Sequence, residues 1–275
     1  MDRERLNSFI GITAKNVAAF IGSMLVEIES RYLWPFDLNS ARQLLGHDFS
    51  TEKNPYQQTI KLKALLVGKL ATSKDFDGGT EYAEYFVQEW GRIGGHNNLR
   101  ALLEPFYDQR NVDLEQLTLV RSFEGISSWS KYLSLLNSDA AIYDSRVAYS
   151  INVINYLGGT TDLFFPMPAG RSPRLSLLDI ETLFLLSKLA IDRNFVSDED
   201  SEHKQISARL KKKYQLEKTQ TYLLYLELIA EVCVLLNIPK NEHFKIEMLL
   251  FALPPGEVFK SLIDAQSESN VAKKR

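Results

Sequence analysis

Apolar residues recur every three or four positions along almost all of this chain, as in Phe9, Ile10, Val17, Phe20, Ile21, Met24, Leu25 and Ile28. That period is the signature of helices with one buried face. No segment alternates apolar and polar residues as a half-buried strand would. An all-α fold follows. The first helix is read as long and half buried. Others are expected over about 56–72, 79–90, 97–107, 114–122, 127–136, 145–157, 176–192, 200–213, 220–237 and 241–251. Asp113-Leu-Glu-Gln116 and Ser176-Leu-Leu-Asp179 both place a capping side chain three residues before an acid or amide, which marks helix starts.

Three stretches read as loops: Asp75 to Thr80 with its Gly-Gly pair, the proline-containing Gly158 to Pro173, and the acidic Ser197 to Ser201. The middle one is expected to separate two lobes of a single helical domain that spans all 275 residues. Gln266 to Arg275 reads as a polar, frayed tail.

Several functions are excluded or made improbable by what is missing. The longest apolar runs, such as Val232 to Leu236, are far shorter than the roughly 20 residues of a membrane span, so no membrane role is expected. No apolar segment with a cleavage site follows the charged start Met1 to Arg5, and the single Cys233 fits a reducing compartment. The expectation is a cytoplasmic monomer. Gly68-Lys69 lacks the leading glycine of a phosphate loop, and Leu70 stands where a hydroxyl residue would hold magnesium. His47, His96, His203 and His243 are scattered, so no metal site is expected; Glu247 near His243 reads as part of a solvent-facing helix. Cys233 lies in an apolar run and reads as core, as do Trp34, Trp90 and Trp129. The net charge of −3 supplies no overall positive field for a polyanion, so any nucleic-acid face must be assembled locally by folding. The dense run Lys211-Lys212-Lys213 reads as a wet helix end.

The stretch from Phe123 to Ala148 carries the most chemistry. Its pattern is a tight turn at Gly125, a helix containing Ser130-Lys-Tyr-Leu133, a short connection, and a new helix announced by Ile142-Tyr-Asp-Ser-Arg-Val147. This segment resembles the helix-hairpin-helix DNA glycosylases, and most closely the bacterial proteins with an 8-oxoguanine DNA glycosylase (OGG) fold. The resemblance covers about 110–160, with weaker likeness in the loop Phe165 to Arg174. Two positions depart from the family: Glu124 replaces the usual proline and Ser127 the usual second glycine.

The resemblance implies a bilobal helical enzyme, with the helix-hairpin-helix and catalytic segment at about 113–157, that flips a damaged or modified base out of duplex DNA and excises it. Asp144 takes the place of the family's catalytic aspartate. Breaking the bond between base and sugar builds positive charge on the sugar, and a carboxylate held against it stabilises the transition state. The plainer role for Asp144 is an ordinary helix cap. Lys131 takes the place of the amine that attacks the sugar and adds strand-cleaving lyase activity, although its register from Gly125 differs by half a turn; otherwise it is a surface lysine. Gly125, Ser127, Ser128 and Ser130 are expected at a phosphate, and Arg146 and Arg171 on DNA, with Arg174 near them. No organic cofactor is implied. A silent helical module that binds DNA or protein on the same scaffold is the alternative.

Overall fold

A computed structural model describes residues 2–94, 98–169, 179–191 and 211–272. Among these residues there is no strand, only an isolated parallel bridge between Phe164 and Gln215. The protein is all-helical.

Helix α1 (Arg3–Ile21) is capped by Asp2 and buries Leu6, Phe9, Ile10, Ala14, Val17 and Ile21. The chain then tightens into a 3₁₀ segment at Gly22–Glu27 before a single α-turn, α2 (Ile28–Arg31), so the long first helix is broken. By length and composition, Arg3–Arg31 is apolar enough to cross a membrane; here its apolar face packs on other helices. α3 (Leu38–Leu45) was not expected from the sequence. Asp37 caps it, and Gly46 ends it in the left-handed region at φ 70°. α4 (Pro55–Thr72) starts with Asn54 as cap and proline in the first turn.

The Gly-Gly loop expected at Asp75 to Thr80 is the first turn of α5 (Phe76–Glu84), because the Asp75 carboxylate accepts the Gly78 amide. A side chain at Gly79 would meet Leu70 at 2.9 Å, so the glycine allows α5 to lie close on α4. α5 runs on into a π-turn at Tyr85–Trp90, and α6 follows at Leu99–Asp108. The helix expected at 114–122 is instead a turn on Asp113 followed by a 3₁₀ segment at Thr118–Arg121. α7 (Ile126–Leu136), α8 (Ser145–Leu157), α9 (Ile180–Ile191), α10 (Thr221–Leu236) and α11 (Phe244–Ala252) match expected helices. The backbone of α12 (Phe259–Ala272) replaces most of the expected frayed tail. Most of the helix expected at 200–213 and the loop Ser197 to Ser201 lie outside the described residues.

Two sets of helices share one continuous apolar core. In the first, α4 packs on α5 and α7, and α6 packs on α5 and α7. In the second, α1 lies along α10 and α8, while α9, α11 and α12 pack on α8. The short α2 touches α4 in one set and α11 in the other. The connection from α7 to α8 therefore crosses between the sets, and it carries the residues singled out in the sequence.

Candidate active site at the α7–α8 junction

Gly125 caps α7 in the left-handed conformation (φ 65°), and its carbonyl accepts the amides of Ser128 and Trp129. An added side chain there would meet Leu102 at 2.7 Å, so both conformation and space require glycine. The turn points Trp129 into the core, stacked on Phe106 with its indole N–H on the Glu124 carbonyl.

Two positions further along α7, Lys131 is 2 % exposed. Its ammonium donates to the Ser127 carbonyl at 3.0 Å and lies 3.4 Å from Asp144 Oδ2. Asp144 is 7 % exposed and caps α8, its Oδ1 accepting the Arg146 and Val147 amides at 3.0 and 3.1 Å. The two candidate catalytic residues, 13 positions apart, thus form one buried ion pair at a helix N-terminus. Lys131 is not a surface lysine. Gly91 lies over its stem, where a side chain would meet Lys131 Cδ at 2.9 Å.

The backbone leading into Asp144 is held by side chains from three helices. Ser130 Oγ donates to the Tyr143 carbonyl and accepts the Tyr143 amide. Tyr222 and Tyr225 donate their hydroxyls to the carbonyls of Ala141 and Ile142. Burial pushes both phenols well above their ordinary titration range, so both remain neutral donors. Glu247 on α11 accepts the Ile142 amide through Oε2 at 2.8 Å. With these bonds made, the aim of the Asp144 carboxylate is fixed by the core.

Asp144 lines a narrow cavity with Tyr32, Thr59, Lys63, Trp90, Glu247 and Phe251, among others; its free volume of about 10 Å³ is roughly that of one water. Burial also raises the Tyr32 phenol, with the carboxylates of Glu247 and Asp144 adding to the effect. A second, more open pocket of about 290 Å³ shares Tyr32 and Phe251 with it as lining residues. Trp34, Arg31 and Arg146 line it. The Arg146 guanidinium stands 4.8 Å from both the Trp34 and Phe251 ring centres, and Trp34 meets Phe251 edge-on at 4.9 Å.

The remaining expected contacts divide. Ser128 and Ser130 are buried, and the Ser130 hydroxyl is committed to Tyr143, so neither side chain can meet a phosphate in this arrangement. The amides of Ile126 and Ser128 are taken by the turn itself, which leaves those of Gly125 and Ser127 without a backbone acceptor among the described residues. Arg171 and Arg174 lie outside the described residues. Trp34 is only half buried and lines the more open pocket, whereas Trp90 and Trp129 are core residues.

Two cavity residues escaped the sequence reading. Glu247 is 4 % exposed and does not face solvent. The signal was present: one carboxylate inside the apolar run Ile246 to Phe251. Lys63, half buried on α4, has no ion-pair or hydrogen-bond partner among the described residues; the spacing along α4 gives no cue to it. No group of three His, Cys, Asp or Glu side chains able to hold a metal occurs among the described residues.

Comparison with protein-family models, curated proteins and solved structures finds no match to this chain.

Proposed function

We propose that this chain is a DNA N-glycosylase that excises a damaged or modified base from duplex DNA and leaves an abasic site. The buried Asp144–Lys131 pair, set at the head of α8 where two sets of helices meet, is the observation that carries the reading. Under it, the two sets are the lobes of a helix-hairpin-helix fold, and Asp144 lies against the C1′ of an everted nucleotide. Two backbone amides and a lysine hold the carboxylate in position as the sugar becomes cationic. Lys131 holds Asp144 and, once the pair parts, offers an amine to C1′ for lyase chemistry. The Gly125 and Ser127 amides with Arg146 bind the DNA, and the wall formed by Tyr32 and Phe251 moves to admit the base. The base is an oxidised guanine or another modified base, met in repair or in defence against foreign DNA.

The test is a panel of duplexes carrying oxidised guanine, alkylated purines, uracil, or hydroxymethylated and glucosylated cytosine. Abasic sites should form on at least one member with the unmodified chain and should be lost with Asp144→Asn, folding retained. Full activity in Asp144→Asn refutes the assignment. Borohydride trapping on an abasic duplex decides whether Lys131 is covalent.

The small volume beside Asp144 favours a second reading, a silent module that binds DNA or protein without chemistry. It predicts binding to duplexes, no abasic product with any of them, and affinity unchanged in Asp144→Asn.

A further inference from the structure

Asp144 has little capacity left to act as a base. One of its oxygens accepts two backbone amides and the other faces the Lys131 ammonium. Its acceptor sites are thus largely taken by donors already in place. Glu247 differs. Its Oε2 is used by the Ile142 amide, and among the described residues no donor reaches Oε1. It is 4 % exposed, yet it lines the same cavity as Asp144, and that cavity has space for about one water. The other titratable groups facing this space are Tyr32 and Lys63, with Tyr222 and Tyr225 behind Glu247.

Resting on the glycosylase reading, we propose that Glu247 is the general base that activates the attacking water, while Asp144 only stabilises the cationic sugar. The water oxygen bonds to C1′ as its proton passes to Glu247 Oε1. The C1′–N bond breaks, its electron pair leaves with the base nitrogen, and that nitrogen takes a proton from bulk water. Glu247 then returns its proton to solvent. Two carboxylates with different surroundings divide the work, as they do in hydrolysis of glycosides.

The experiment uses the duplex from the panel above that the unmodified chain processes fastest, under single turnover. Glu247→Gln keeps an acceptor for the Ile142 amide, so the fold should persist, while excision should fall at least about 100-fold. Duplex affinity should stay within about twofold, since the loss is of proton transfer and not of ground-state binding. In Glu247→Ala, added formate should restore excision by about tenfold or more as a substitute base, and it should do nothing for Asp144→Asn. Excision by Glu247→Gln at the normal rate overturns the proposal but leaves the glycosylase reading intact if Asp144→Asn is dead. A slow Glu247→Gln with no formate effect on Glu247→Ala also overturns it, because Glu247 then only holds Ile142. No base release from any duplex by the unmodified chain removes both readings.

Discussion

Neutralising Lys131 or Asp144 separately should destabilise the protein far more, per substitution, than neutralising both. At 3.4 Å and an effective dielectric constant near 20, the attraction between the two charges is about 5 kcal/mol. Desolvation of two side chains that are 2 and 7 % exposed offsets most of that, so the pair contributes little net stability. Removing one member is another matter, because it leaves a buried charge uncompensated at a cost of about 3–5 kcal/mol. The lower end applies here. The separation is longer than a tight charge-assisted bond, and each survivor keeps other partners: Asp144 its two amides, Lys131 the Ser127 carbonyl. We expect Lys131→Met and Asp144→Asn each to cost about 3 kcal/mol, and the double variant only about 1 kcal/mol, a coupling of about 5 kcal/mol that matches the direct attraction. Asparagine can still cap α8, so the second cost is not a lost cap. Urea unfolding at pH 7, followed by circular dichroism and tryptophan fluorescence, measures all three. Costs that add to within about 0.5 kcal/mol would show that the charges do not interact and would remove the geometric basis of the site.

Gly125→Ala should lose about 2–3 kcal/mol, combining left-handed strain with the Leu102 clash, and its melting temperature should fall by several degrees; an unchanged melt contradicts the turn geometry. Tyr149 is buried with no partner for its hydroxyl among the described residues, so Tyr149→Phe should be neutral or stabilising by about 1 kcal/mol at pH 7; a loss above about 1 kcal/mol would reveal a partner. Burial, reinforced by Asp179, pushes the Tyr149 phenol from 10.0 up to about 12. The folded state thus holds this proton more tightly, and its contribution is present below pH 10 and lost as pH rises towards 12. Alkaline unfolding of Tyr149→Phe should therefore be shallower across that window, by about 2–3 kcal/mol at most. Duplex binding through even two phosphate contacts should weaken about tenfold between 50 and 200 mM salt; a flat salt response points away from DNA.

The helix boundaries that frame the site were legible because local chemistry sets them. Asp144 before an apolar run marks the start of α8, and Gly125 marks the turn into α7. Elsewhere the same signals were ambiguous. Leu114, Leu117 and Val120 are buried at a spacing of three, which suits a 3₁₀ segment as well as an α-helix. The Gly-Gly pair after Asp75 signals a loop, yet one carboxylate–amide bond and close packing on Leu70 favour a helix. α3 is short and buries only Ala41 and Leu45, too little apolar pattern to register. The site itself divides along the same line. Lys131 and Asp144 lie close in sequence, and their meeting follows from one helix and one connection. Glu247 comes from α11, far along the chain, and its side chain is brought to Asp144 by packing that no local pattern encodes.

The central claim, that a buried carboxylate at the head of α8 drives base release, is tested most directly by single-turnover excision with the unmodified chain and Asp144→Asn side by side. Abasic product from the first and none from the equally folded second is the predicted result. Equal rates from the two, or binding to every duplex with no abasic product from either, would contradict it.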